Sequence, residues 1–279
     1  VTSAIVHRDL ASARQTQAET GPLTLAQIRQ RGTLRIGYDP ANLPFSFFNA
    51  DDQLVGFDIE LAANLADSFG VQAEFIPIEW PDLPRLLAEG VIDVMPGTWY
   101  RPFWFPLLRL SAPYTRGTMA LVVRDERRHE FGSVEALRHG RGLKIGVQPD
   151  VNQLKYSMRR YFGESDVEFV TLEFWQPFFE GQHPELDAFL VPAENASAWT
   201  LLHPGFTVVV PQPDPVKIPS AFGMALNSDD LANAVNEWVV FASNEGLIDR
   251  AYDYWVLGKG AEPVRPRWSI ARDLLGWIE

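Results

Sequence analysis

The chain has 279 residues, of which 46% are apolar and 22% charged, with a net charge of −12 and no cysteine. This excludes wholesale disorder, a disulfide framework, thiolate chemistry and the basic face that nucleic acid requires. No apolar run approaches the ~18 residues that span a bilayer, and the length suits two domains better than one.

Residues 1–23 read as a polar lead-in without the apolar stretch of a signal peptide, so we expect a processed chain or a piece of a longer one. A short helix follows at Leu25–Arg31, closed by Gly32, and a strand at Thr33–Tyr38. Asp39–Pro44 is a turn-rich loop, and Phe45–Phe47 leads into a turn at Asp51-Asp52. Gly56-Phe57-Asp58 opens a helix to Phe69, with Ile59, Leu61, Ala62 and Leu65 near a 3.6 period and Gly70 as its stop. A strand at Phe75–Ile78, a helix at Leu83–Glu89 and a strand at Val91–Met95 complete an alternation that calls for a parallel sheet.

Met119–Val123 reads as a strand crossing toward a second lobe near Val122–Asp125, and Val134–Arg138 as a short helix in a charged connection. Helices are expected at Val151–Tyr161, Trp175–Glu180 and Ala193–Leu202, and strands at Val167–Leu172, Ala188–Val191 and Thr207–Val210. Pro211–Pro219 looks like a stiff return crossing near Pro215–Ala221, after which Ser220–Leu226 re-enters the first lobe as a strand. Ser228 is placed to cap a helix running to Ala242, Ile248–Val256 is a last helix, and 259–279 forms a tail.

Leu34-Arg35-Ile36-Gly37 is echoed by Leu143-Lys144-Ile145-Gly146. Each is an apolar, basic, apolar run ending in glycine and then turn residues. Two such copies imply two similar α/β lobes, 24–122 with 221–258 and 123–220, with Ile36 and Ile145 in separate sheets. Ligands of open α/β sheets collect beyond the strands' carboxyl ends, so a cleft between the lobes is the expected site.

The order of parts resembles the family 3 extracytoplasmic solute-binding proteins. Gly56-Phe57-Asp58-Ile59-Glu60-Leu61 is similar to their GFDxDL signature, and Asp39 to Phe45 to the preceding DxxxPPF loop, with Leu43 for the first Pro. Glu89-Gly90-Val91-Ile92-Asp93-Val94, Ser111-Ala112-Pro113-Tyr114, Gly146-Val147-Gln148, Leu186-Asp187-Ala188 and Glu245-Gly246 with Tyr252-Asp253-Tyr254-Trp255 follow in the family's order, over roughly residues 24–258. Pro192 to Pro204, Pro213 to Lys217 and Arg267 to Ile270 resemble a subgroup fused to sodium:dicarboxylate symporter-type membrane domains. The resemblance implies a type II periplasmic-binding-protein-like α/β fold with a central hinge. It also implies an extracytoplasmic place, monomeric behaviour, no cofactor, and delivery of a small polar solute, an amino acid or related carboxylate, to an ABC permease or fused symporter.

Two anchors are implied by the same resemblance. The family's TxxR arginine takes the ligand carboxylate, but counted back from Ser111 its place falls on Trp104. Arg101, after Thr98-Trp99-Tyr100, is the nearest candidate, with Arg109 and Arg116 as weaker ones. The Asp that takes the ammonium falls on Pro192, leaving Glu194 as the displaced carboxylate. Asp39 and Asn42 in the first loop, Thr98, the aromatic run Trp99 to Phe105 and Asn152 complete the candidate ligand set. Asp150, where the family offers helix N-terminal amides, is expected to cap that helix. The aromatic run either stacks on a ligand or packs the lobe.

Enzyme classes find little support. The five His residues form no zinc spacing, and no Gly-x-Ser-x-Gly elbow or phosphate loop occurs. A dehydratase or lyase on the same two lobes, and a ligand-sensing domain of a membrane protein, are the alternatives.

Overall fold

The computed structural model describes residues 4–16, 20–148, 155–172, 175–201 and 203–259, and every statement of absence below concerns these. The first elements are β1 (Ile5–Val6), α1 (Leu10–Gln15), α2 (Leu25–Arg31) and β2 (Thr33–Tyr38). A small three-stranded sheet follows, β3 (Ala41–Asn42), β4 (Ser46–Phe48) and β5 (Leu54–Val55), then α3 (Phe57–Ser68), β6 (Gln72–Pro77), α4 (Leu83–Ala88), β7 (Val94–Trp99) and β8 (Leu108–Leu110). Next come β9 (Thr115–Arg124), α5 (Val134–His139), β10 (Leu143–Val147), α6 (Lys155–Phe162), β11 (Val167–Thr171) and α7 (Gln176–Phe179). The chain continues through β12 (Ala188–Pro192), α8 (Ala193–Thr200), β13 (Phe206–Val209), β14 (Lys217–Ala225), α9 (Asp229–Asn244) and α10 (Leu247–Trp255).

The lead-in carries structure of its own, which composition could not reveal because its strand is two residues long. Ile5 and Val6 pair in parallel with Glu74 and Phe75 of β6. His7 sits between Ser12 Oγ at 3.1 Å and Glu74 Oε1 at 2.9 Å, and Tyr38 Oη donates to the His7 carbonyl at 2.8 Å.

The repeated motif is realised physically twice. The Asp93 carboxylate accepts from the Arg35 N–H and the Asp187 carboxylate from the Lys144 N–H, both at 2.8 Å. Each Asp N–H returns the bond to the same residue's carbonyl at 2.8 Å, and each carboxylate pairs with an arginine, Arg31 and Arg127. The glycines of the two copies have one reason in common, the close approach of a neighbouring side chain. A Cβ on Gly37 would lie 2.8 Å from Met95 Sδ, and one on Gly146 would lie 2.5 Å from the Phe189 ring. Val91 to Asp93 therefore form the bend that delivers the carboxylate, and β7 starts at Val94, not at Val91 as the apolar run suggests.

Strand order is β1-β6-β2-β7-β14-β9-β12-β10-β11, with β13 on β9 and β8 on β14. This corrects the expectation that Ile36 and Ile145 lie in separate sheets: one hydrogen-bonded path joins them, through β7, β14, β9 and β12. The reason is the pair of crossing strands. Thr115 to Thr118 of β9 run antiparallel to Lys217 to Ser220 of β14, and the same strand continues along β12 and β13. β14 likewise continues along β7 and β8.

The lobes are distinguished instead by their cores. Leu34, Ile36, Phe57, Leu61, Leu65, Phe222 and Trp238 belong to one buried cluster, and Met119, Leu121, Ile145, Tyr161 and Leu190 to another. Ser228 precedes α9 but its side chain makes no capping bond; Asp229 and Asp230 occupy the first turn instead, where carboxylates suit the helix dipole. Asp150, and most of the tail, lie outside the described residues.

Candidate functional site

The crossing strands β9 and β14, the start of α3, the end of β7, the start of α8 and α10 converge on a cleft of about 310 Å³, including its open mouth. It is lined by Asn42, Phe45, Asp58, Gly97, Trp99, Thr115, Gly117, Glu194, Ser220 and Tyr252. Three of these were expected from sequence: Asn42, Trp99 and Glu194.

Glu194 lies in the first turn of α8, where the helix dipole favours a carboxylate. It is buried, and accepts from the Thr118 N–H at 3.2 Å and from Tyr252 Oη at 3.0 Å. Burial pushes its pKa up, against the lowering effect of these donors and of Lys217. Tyr252 is held by an edge-to-face contact with Phe57, ring centroids 5.8 Å apart, and burial beside the Glu194 carboxylate raises its pKa.

Asp58 is held from the other side. Its Oδ1 accepts from Tyr114 Oη at 2.6 Å, and that hydroxyl accepts from the Gly97 N–H at 2.7 Å. Gly97 has φ +74°, and a Cβ there would stand 2.7 Å from Asp58 Oδ2, so only glycine leaves this oxygen room. Burial pushes the Asp58 pKa up to about 7, with the Tyr114 bond opposing. Gly117 plays a similar part for the aromatic wall: a Cβ there would lie 2.8 Å from Cζ3 of Trp99 and 3.4 Å from Glu194 Oε2.

The other expected residues have different places. Asp39 organises the first loop, accepting from Trp80 Nε1 and from the Ala41 N–H, both at 3.0 Å. Thr98 is fully buried with its hydroxyl donating to the Met95 carbonyl at 3.0 Å. Trp104 packs in a core cluster with Ile76, Leu83 and Leu87. Arg101 is buried and Arg116 exposed, and neither is among the lining residues. Asn152 lies outside the described residues. Asp58, Gly97, Gly117, Ser220 and Tyr252 were not singled out as ligand contacts. Two of them carried a signal, Asp58 as the acid of the Gly56-Phe57-Asp58 motif and Tyr252 as the first residue of the Tyr252-Asp253-Tyr254-Trp255 motif.

No group of His, Asp and Glu among the described residues is arranged to hold a metal ion. No helix among them is long and apolar enough to cross a membrane.

Two lobes joined by paired crossing strands, with a narrow acidic cleft between them, define a type II periplasmic-binding-protein fold. The comparisons with known proteins carry this to a family. The profile of the bacterial extracellular solute-binding proteins, family 3, matches residues 34–258, and the chain belongs to that family. Cyclohexadienyl dehydratase of Pseudomonas aeruginosa is 24% identical over 252 residues, covering 88% of this chain and 90% of that protein. The L-cystine-binding protein TcyJ of Escherichia coli is 26% identical over 243 residues, covering 83% and 85%. A solved ancestral amino acid-binding protein, a precursor of cyclohexadienyl dehydratase, superposes with a TM-score of 0.69 at 27% identity, covering 83% of this chain and 99% of its own.

Proposed function

We propose that the chain is an extracytoplasmic solute-binding domain, not an enzyme, that closes on an amino acid or related small polar solute and delivers it to a membrane transporter. The lobes of this reading are 24–122 with 221–258 and 123–220, and closure turns about the crossing strands. The observation that carries it is Glu194. A buried carboxylate at a helix start, in a cleft between two lobes, has the chemistry to take a ligand ammonium. Tyr252 meets it from the far side of the cleft at 3.0 Å.

Relatives named for L-cystine and arginine binding support the amino acid class, and the name of the arginine-binding relative supports an ABC transporter as recipient. A fused symporter domain is the other recipient this reading allows. Arg101, Arg116, Asp39 and Asn152 remain in the proposed ligand neighbourhood, to be reached as the lobes move, whereas Thr98 and Trp104 support the cleft wall from the core of the first lobe.

Calorimetric titration with the proteinogenic amino acids tests the reading. One or more should bind at micromolar or tighter affinity, and Glu194→Gln should weaken that binding at least tenfold. Unchanged affinity in E194Q removes Glu194 as the anchor. The second reading, an enzyme of the dehydratase kind, has the Pseudomonas relative in its favour. It is met by following each bound solute by NMR, where appearance of a product would replace the binding reading.

A further inference from the structure

The lead-in does more than widen the sheet, because its contacts end on the loop that carries Asn42. Arg8 follows β1, and its guanidinium lies 3.8 Å over the Phe48 ring of β4. Its Nη2 donates to both the carbonyl and Oδ2 of Asp52, each at 2.8 Å. Asp52 closes the turn between β4 and β5, and among the described residues it is the one non-glycine with a positive φ, at +59°. Few side chains accept that left-handed backbone, so the turn gains from a partner that holds it. Phe48 also meets the Tyr38 ring edge-on, centroids 6.1 Å apart, and the Tyr38 hydroxyl donates to the His7 carbonyl at 2.8 Å. The lead-in therefore grips the end of β2 and the β4–β5 turn together.

The small sheet passes this grip to the cleft. β4 pairs with β3, where Ser46 stands opposite Asn42. Asn42 Oδ1 and the Leu43 carbonyl then accept from Asn195 Nδ2 of the second lobe. The side chains of Arg8 and Asp52 are 48% and 79% exposed, so their pairing adds little to global stability. Its effect is on where the small sheet stands. Resting on the solute-binding reading above, we propose that Arg8 is a positioning residue of the cleft: it holds β3 to β5 where Asn42 and Leu43 meet Asn195, so that lifting the lead-in lets the lobes open. The two-state element is lobe closure, and the lead-in biases it from outside the cleft. Coupling of this kind is reciprocal, so closure must also tighten the hold on the lead-in.

The test needs no solute. The chain has no cysteine, so spin labels on Asp67→Cys and Ser197→Cys, exposed positions on α3 of the first lobe and α8 of the second, report the distance between lobes by pulsed electron resonance. The full chain is compared with Arg8→Ala, Arg8→Lys and Arg14→Ala. Arg14 ties the same lead-in to Glu89 at 2.7 Å and serves as the control. R8A should raise the open population about threefold, the bias that an exposed ion pair and a cation–π contact can supply. R8K, which keeps a cation over Phe48, should restore the wild-type distance, and R14A should not move it. Urea stability of R8A should stay near wild type, which separates positioning from general support. An unchanged distance in R8A overturns the proposal, as does an equal opening in R14A or a wild type already open without solute. None of these results bears on whether the cleft takes a solute, which the titrations above decide by themselves.

Discussion

Asn195 Nδ2 donates to Asn42 Oδ1 at 2.8 Å and to the Leu43 carbonyl at 2.6 Å, joining the start of α8 to the first loop across 153 residues of sequence. With the Tyr252 bond to Glu194, it ties the two walls of the cleft together. Asn195→Ala removes both donations, each worth on the order of 1 kcal/mol. Affinity for the solute should fall about five- to thirtyfold, mostly through faster dissociation. Stopped-flow measurement of the dissociation rate checks this, and an unchanged rate would show that the bond does not hold the closed state.

Gly117→Ala tests the aromatic wall. The added methyl group meets the Trp99 ring from within β9, where the backbone is paired with β14 and cannot retreat. Overpacking of this kind costs about 1–3 kcal/mol, and the displaced ring would also narrow the cleft. Urea denaturation should show the lost stability, and titration a loss of binding larger than that of a surface substitution.

Asp58 makes the ligand-free protein sensitive to pH in a definite direction. Its carboxyl has a folded pKa of about 7 against an ordinary 3.8, because burial disfavours the charge. The fold therefore binds the proton more tightly than the unfolded chain does. Its contribution to stability is greatest below the unfolded pKa and is lost as pH rises through about 7. Between pH 7 and 5 the group should add about 2 kcal/mol, and D58N should remove that rise. Denaturation of the two proteins across this range measures the difference.

Glu74 behaves in the opposite sense. Burial raises its pKa, but His7, Arg35 and Thr33 outweigh it and hold the carboxyl below its usual value. This contribution is present above the ordinary carboxylate range and lost as pH falls through the lowered folded pKa. Glu74→Gln leaves the Arg35 guanidinium, whose side chain is only 4% exposed, without its 3.2 Å partner. Breaking a buried pair in this way costs about 3–5 kcal/mol. The loss should appear in chemical denaturation and should loosen the docked lead-in to proteolysis.

The α/β plan was legible because its causes are local. An apolar, basic, apolar run ending in glycine makes a buried strand, and the later Asp of each copy makes the bend beside it. The crossing strands were only half legible. Met119 to Val123 are apolar and read as a strand, but Thr115 to Thr118 owe their extended form to partners in β14 that lie a hundred residues away. The cleft was harder still. Trp99 and Trp104 belong to one aromatic run, yet one faces the cleft and the other the core beside Ile76 and Leu83. Ser220 reaches the site from an element whose sequence speaks only of strand, and the motif that holds Tyr252 says nothing of where its hydroxyl points. Which wall a side chain faces is decided by how the lobes meet, and no window of sequence contains that.

The central claim, binding of a small solute between the lobes, is tested most directly by thermal unfolding of the wild-type chain against amino acids, carboxylates and amines. A solute that binds the folded cleft stabilises it by about 2.7 kcal/mol at a hundredfold over its dissociation constant. That should raise the melting temperature by about 5 °C or more. A clear shift with an amino acid or a related cation, abolished by E194Q, is the predicted result. An unmoved melting temperature across the whole panel would contradict the account.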